Sequence, residues 1–475
     1  MFNLNALFNR KSDLHLKDAI AALLKVQPEK LEEFEAAYKQ AALSEDNISD
    51  NFFDINSRQA SAISHSRPIP ENIDEDTLKA LITRAVDELS SETPVLAISD
   101  GKVSQITLPS LPDGTPEITN DDIKALPENL RPQATGHLMK VDINDMSYLH
   151  VLQFYINARD ARDEKLRRNM YGMFRQGLDI LDLDPVLYAM LGQNPNSMSH
   201  WLPQITSAAT KYGFFKIPET RIAKVPMPIL QLSRIEYTSL TPTTLKIVDD
   251  WAMKAFDLDV NKTYFIKTGT YSSKFDFRNA KVTGEKEVRE LGEYLLYIQH
   301  QASMMAGPLS TPCIYGVSTT NEWVVREYIE DKENNPCIYK GLPLHTEYRV
   351  FVDFDTDEVL GISPYWEPTM MKHRFSQEDD ASSPHQRHDY IIYKMHEETL
   401  MGRYNDHKNE ILHHIKEMLP DVALTGQWSI DIMQNGDDFW LIDMATADTS
   451  ALRECVPNHL LKKTPENWIP ANLSE

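Results

Sequence analysis

The chain is short of cysteine, of basic residues and of long apolar runs, and each shortage removes a class of protein. Three cysteines in 475 residues, Cys313, Cys337 and Cys455, cannot all pair within one chain, and their spacing matches no metal motif. A reducing, cytoplasmic setting is therefore expected. Lys and Arg number 48 against 71 Asp and Glu, a formal net charge of −23. Nonspecific nucleic-acid affinity comes mainly from Lys and Arg neutralising phosphates, so so acidic a surface argues against nucleic acid as a partner. No stretch reaches the ~20 apolar residues of a membrane span. Met1 to Leu16 carries Asn3, Asn5, Asn9, Arg10, Lys11 and Asp13 where a signal peptide has its apolar core.

What is present is ordinary globular composition, 41% hydrophobic and 25% charged. At roughly 100–200 residues per domain the length fits two to four domains. Residues 1–44 read as a helical hairpin, residues 45–73 as a polar linker, and residues 74–200 as a mixed, mainly helical N-terminal domain. Within the last, Val95 to Ile98, the turn pair Asp100-Gly101 and Val103 to Leu108 read as a β-hairpin. After Trp201 strands alternate with helices. Strands are expected at Thr263–Thr268, Glu322–Ile329, Glu347–Phe354, Glu358–Tyr365, Trp428–Met433 and Phe439–Met444, and helices at Thr244–Phe256, Val288–Met305 and Asn405–Leu419. Residues 201–475 thus form an α+β module built on antiparallel sheet.

Four segments of that module carry candidate chemistry. The strand Tyr264 to Thr268 delivers Lys267 into the loop Thr268 to Phe275, where backbone N–H groups, Ser272, Ser273 and Lys274 could surround phosphate. The segment matches neither the Walker spacing nor the dinucleotide glycine fingerprint, and a surface hairpin with solvated lysines is its plain alternative. Asp431 and Asp443 each sit among large apolar residues, where an ionised group is costly without a cation. A two-residue Asn435-Gly436 turn would set Asp431 opposite Trp440; a three-residue turn, Gly436 to Asp438, would set it opposite Asp443. Two facing carboxylates call for a hard divalent cation. On the strand from Glu347, Arg349 either faces a polyphosphate or forms a salt bridge to Glu347 or a neighbouring strand. Finally, Glu327, Tyr328 and Ile329 end an apolar strand whose backbone could pair with an adenine edge.

In this order the elements resemble the ATP-grasp superfamily over roughly residues 205–455, and in particular its divergent phage and bacterial members and the eukaryotic cell-division-cycle assembly factors, which share the Glu-x-Arg-x-Phe-Val and Trp-Leu-Ile-Asp strands. The resemblance implies two α+β subdomains with antiparallel sheets enclosing ATP, preceded by the helical N-terminal region. It implies ATP and Mg2+ as cofactors, with Asp431 and Asp443 holding the metal. Lys267, Ser272, Ser273, Lys274, Glu327, Tyr328, Ile329 and Arg349 would bind nucleotide, and Lys267 and Arg349 would act in catalysis. The activity implied is a ligase joining a carboxylate to an amine, on small-molecule or peptide substrates, through an acylphosphate. A noncatalytic ATP-binding assembly factor, with a protein partner held through residues 1–200, is the alternative, and a nucleic-acid-end or phosphotransfer enzyme a further one. Two features depart from the pattern. Asp443-Met444-Ala445 lacks the Asn that members carry two positions after the second acid, with Asp448 a substitute, and the upstream lysine is one of Lys224, Lys246 and Lys254. Between Trp366 and Asn405 a long polar segment with Lys372, His373, Arg374, His385, Arg387, His388 and His396 is either a reception site for an anionic substrate or a surface insertion.

Overall fold

The computed structural model describes residues 92–104, 194–233, 242–305, 319–375 and 384–463, together with Leu108, Arg162, Asp163, Leu166, Tyr188, Leu191, Gly192 and Leu240. The expected hairpin of residues 1–44, the linker of residues 45–73 and most of the helical stretch from Met146 to Leu191 lie outside the described residues.

Strand β1 (Val95–Ser99) turns back into β2 (Lys102–Val103) through Asp100 and Gly101, both left-handed at φ 51° and 69°. Asp-Gly accepts that conformation at least strain, which is why the pair marks a two-residue hairpin. Helix α1 (Met198–Tyr212) stops at Gly213, again left-handed, whose N–H caps the Ala209 carbonyl. Then follow β3 (Phe215–Lys216), β4 (Thr220–Lys224), α2 (Met227–Leu232), α3 (Pro242–Ala255), β5 (Tyr264–Thr268) and β6 (Lys281–Val282). The single helix expected from Val288 is two, α4 (Gly284–Arg289) and α5 (Leu291–Met305), separated at Glu290. Strand β7 (Glu322–Glu327) ends earlier than expected, so Tyr328 and Ile329 lie beyond it. After β8 (Cys337–Ile338) and β9 (Leu342–Pro343) come the long strands β10 (Glu347–Asp353) and β11 (Glu358–Pro364).

The polar segment between Trp366 and Asn405 is largely helical: α6 covers Pro368–Arg374, and α7 runs from Pro384 to Met418, starting well before the expected Asn405. A narrow buried stripe, Tyr393, Leu400, Tyr404, Ile411, Ile415 and Met418, holds α7 to the fold while the rest of its surface stays polar. The chain closes with the hairpin β12 (Gln427–Asn435) and β13 (Asp438–Thr446).

The strands form two main sheets, β2-β1-β4-β7-β5-β6 and β11-β10-β12-β13-β3. Every pairing in them is antiparallel except that of β13 with the short β3. The molecule is thus mixed α+β on antiparallel sheets. Alternation along the strands sorts the side chains. On the first sheet Ala223, Ile266, Trp323 and Val325 pack with α3 and α5. On the second, Tyr348, Val350, Ile430, Ile432, Leu441 and Met444 share a core with α7 residues Tyr404, Ile411 and Ile415. The two remaining faces, one per sheet, enclose the candidate site.

Candidate functional site

On the first sheet Phe265 is paired with Arg326 and Lys267 with Val324, so Phe265, Lys267 and Arg326 share one face. On the second sheet Arg349 lies directly opposite Asp431. The partner of Asp431 on its other side is Asp443, and neither expected turn accounts for this. The hairpin closes through Gly436 and Asp437, with Asn435 opposite Asp438, and this register would place Ile442 opposite Asp431. Between Ile432–Leu441 and Asp431–Asp443 the register shifts by one, and Ile442 is the extra residue. A β-bulge of this kind keeps two consecutive side chains on the same side. Leu441 and Met444 are buried in the core, while Ile442 and Asp443 both line the cleft. In a regular ladder Asp443 would point into the apolar core.

Each carboxylate meets a cation. Arg349 donates from Nε and Nη2 to the two oxygens of Asp431, at 2.7 and 2.6 Å, a bidentate pair within one sheet. Arg349 thus makes a bridge to a neighbouring strand. Lys267 reaches across from the other sheet, donating from Nζ to Asp443 Oδ2 at 2.7 Å. Burial depresses the pKa of Lys267, Asp443 partly offsetting it, and pushes that of Arg326 down to about 10. Lys274 and Glu347 are pulled towards each other: burial lowers the lysine to about 8 and raises the carboxyl to about 8.

The space between the sheets has two connected parts. An inner cleft is lined by Phe265, Lys267, Phe277, Arg326, Glu327, Tyr328, Ile329, Glu347 and Ile442. An outer chamber, about 430 Å³ against about 140 Å³, is lined by Asn196, Phe275, Arg349, Met371, His373, Arg374, Ser429 and Ala445. Ser272, Lys274, Tyr365, Trp366, Asp431 and Asp443 border both, so the acids stand at the junction. Tyr365 lies beneath two cations, its ring centre 4.5 Å from Lys274 Nζ and 4.8 Å from the Arg349 guanidinium.

Most of the expected site residues therefore meet, with exceptions. Ser273 is buried and lines neither cavity. The Glu327 carboxylate pairs with Lys262 at 2.9 Å. The loop after Lys267 does not offer all its N–H groups to a ligand, since Gly269 N–H donates to the Glu322 carbonyl and those of Thr270 and Tyr271 to Thr268 Oγ1. None of the three upstream lysines reaches the cleft. Lys224 is buried against Asn321 and Glu322, Lys246 pairs with Asp250, and Lys254 is exposed on α3. Asp448 lines neither cavity, so its proximity in sequence to Asp443 does not bring it to the acid pair. Of the polar segment, His373 and Arg374 reach the outer chamber and His388 is exposed. Arg326 is not among the residues expected from sequence, although a charge after Trp323-Val324-Val325 in an apolar strand is a signal, because burial there demands a partner. Asn196, which accepts from Thr446 N–H at 2.8 Å, carries no such signal.

No protein-family model matches the chain, and no curated protein matches it. Solved structures similar to it include Cdc123 from Schizosaccharomyces pombe and a C-terminally truncated form of the same protein. Each shares 14% identity at a TM-score of 0.31, with 57% of this chain and 95% of that chain covered. A likeness at that score assigns no function to this chain. Among the described residues no helix is long and apolar enough to cross a membrane.

The donor set suits a metal-bound polyphosphate. Two carboxylates from adjacent strands face each other at the junction, hard oxygen donors of the kind Mg2+ prefers. Four cations, Lys267, Lys274, Arg326 and Arg349, surround them in a chain of net charge −23. Arg326 also keeps a buried Nε with no partner among the described residues.

Proposed function

We propose that the protein is an ATP-grasp protein that binds ATP with Mg2+ in the inner cleft and uses the outer chamber for an acceptor. The observation that carries this reading is the Asp431–Asp443 pair at the junction of the two cavities, met from opposite sheets by Arg349 and Lys267. Phe265, Phe277 and Tyr328 offer an apolar slot for a base, and Lys267, Lys274 and Arg326 a cationic path for phosphates. Asp431 and Asp443 would hold Mg2+, which supplies charge neutralisation on the phosphate oxygens. Lys267 and Arg349, released from these acids, would turn to the phosphates, and Arg349 would hold the terminal phosphoryl group beside the chamber.

Carboxylate–amine ligation is the chemistry this layout supports. A substrate carboxylate in the outer chamber, near His373 and Arg374, attacks the terminal phosphorus; the bond from that phosphorus to the bridging oxygen breaks, giving ADP and an acylphosphate. An amine then attacks the acyl carbon, phosphate leaves and an amide forms. No protein nucleophile takes part. The test is Mg2+-dependent ATP binding by calorimetry, followed by release of phosphate in an acceptor screen. Binding that is indifferent to Mg2+, or survives Asp443→Ala unchanged, would sink the reading.

A second reading, nucleotide binding without transfer, has its own support. Ala445 stands where a third oxygen ligand is expected, and Asp448 lines neither cavity. Tight Mg2+–ATP binding with no turnover for any carboxylate and amine, together with a protein partner retained only in the nucleotide-bound state, would select it.

A further inference from the structure

The Asp431–Asp443 pair exists only because of the bulge at Ile442, and the bulge is held from the opposite sheet. Arg326 projects from β7 and donates from Nη1 to the carbonyl of Ile442, the extra residue itself. Its Nη2 lies 3.1 Å from the sulfur of Met198 at the start of α1, and its side chain is 4% exposed. A bulge leaves backbone groups without ladder partners, and a buried carbonyl without a donor is costly. Guanidinium donation to that carbonyl favours the bulged register over the regular one, in which Asp443 would enter the core beside Leu441, and Met444 would turn out of it.

We propose that Arg326 is a positioning residue that sets the register of β13, turning Asp443 out of the core and opposite Asp431. Its effect on ligand rests on the nucleotide reading above; its effect on register does not. The sign of that effect separates positioning from plain electrostatics. Arg326 is a cation near Asp443, so if it acted only through charge, removing it would strengthen binding of a divalent cation there. Positioning requires the opposite.

Register can be read without any ligand by oxidative cross-linking, since directly opposed strand positions meet disulfide geometry. Asp431→Cys with Asp443→Cys should cross-link in the otherwise native chain. Adding Arg326→Met should abolish that bond and transfer cross-linking to Asp431→Cys with Ile442→Cys, whereas Arg326→Lys, which keeps a donor, should preserve it. In parallel, Arg326→Met alone should weaken binding of Mn2+ in the absence of nucleotide by about tenfold or more, as loss of a supporting group around a metal site does. An unchanged 431–443 cross-link, or stronger nucleotide-free Mn2+ binding, overturns the proposal.

If Arg326→Met does not fold, deletion of Ile442 decides. A ladder without the extra residue sets the Asp opposite Asp431 with no bulge to hold, so the deletion should restore folding and nucleotide-free Mn2+ binding to Arg326→Met. Failure to fold in that background also overturns the proposal. Should the unmodified chain show no Mn2+-dependent ATP binding, the nucleotide reading falls while the cross-linking result still stands.

Discussion

Lys224 and Lys267 are both buried lysines on the cleft-side face of one sheet, each paired with a carboxylate, yet their surroundings differ. Lys224 lies opposite Glu322 on the adjacent strand, with Nζ 3.4 Å from the carboxylate and 2.8 Å from Asn321 Oδ1. The first turn of α1 covers that pair: Ser199 N–H donates to Glu322 Oε1 at 3.0 Å, and the Glu322 side chain is 0% exposed. Lys267 is equally buried, but its partner Asp443 belongs to the other sheet and has a side chain 38% exposed towards the cleft. One pair is sealed by its own neighbours; the other is open on the side where a ligand can exchange for a protein partner. Burial of charge is costly in both, so the difference lies in what completes the solvation.

The largest expected effects come from removing the two lysines in turn. Lys224→Ala leaves Glu322 buried without its cation and should cost about 3–5 kcal/mol of stability, read by denaturant unfolding, with ATP affinity in the surviving folded fraction nearly unchanged. Lys267→Ala should do the reverse. Asp443 gains access to water, so stability falls less, whereas ATP affinity drops by about 2–5 kcal/mol through loss of a buried phosphate-facing charge. A Lys224 variant that folds normally but fails to bind ATP would collapse the contrast.

Gly269 joins the two pairs. A Cβ added there would lie 2.5 Å from the Glu322 side chain, which is itself fixed in the sealed pair. Gly269→Ala is therefore expected to cost about 1–3 kcal/mol through overpacking and to disturb the loop that follows Lys267, reducing stability and ATP affinity together in one calorimetric series. An alanine that changes neither would mean that the sealed pair yields more easily than its burial implies.

A smaller effect concerns pH. Lys274 borders both cavities with its pKa lowered to about 8 by burial, and Glu347, Arg349, Asp431 and Arg374 act on it. Glu347 titrates upward to about 8 for the same reason. Below that value the lysine is charged and the carboxyl neutral; above it the lysine loses its charge and the carboxylate gains one. Both changes disfavour a polyphosphate, so ATP affinity should fall severalfold as pH rises through about 8. For stability the signs oppose: the raised Glu347 pKa contributes stability that is lost as pH rises towards 8, while the lowered Lys274 pKa makes stability rise again from 8 towards 10.5. Lys274→Arg should make the binding profile shallower, leaving only the part that Glu347 contributes, and an unchanged profile would show that Lys274 does not meet the phosphates.

Sequence carried the strand positions and most of the cleft residues because alternation and buried charge are local signals. Val95 to Val103 shows its hairpin in the Asp-Gly turn, and Lys267, Arg349, Asp431 and Asp443 each stand out as ions within apolar strands. What stayed hidden depends on distant partners. The bulge at Ile442 has no glycine to announce it, since the Arg326 guanidinium that meets it comes from another sheet. The first half of α7 is hard to see in sequence because its buried stripe, Tyr393, Leu400 and Tyr404, is one residue wide among charges and becomes legible only beside the core it packs on.

The smallest expected effect belongs to the third lysine. Lys246 sits one helical turn before Asp250 on α3, donating at 2.7 Å, and its side chain is 56% exposed. Its partner is a neighbour four residues away, water can replace either group, and salt screens the pair. Lys246→Ala should therefore change stability by about 0.3–0.5 kcal/mol at most and leave ATP affinity unaltered at any salt concentration. Sealed, open and exposed lysines then give three separate responses, in stability alone, mainly in ligand affinity, and in neither. If Lys246→Ala weakened ATP binding, exposure of one partner towards the cleft would no longer be what distinguishes the lysine at Asp443 from the others, and the long-range field of this acidic chain would have to be carrying the nucleotide instead.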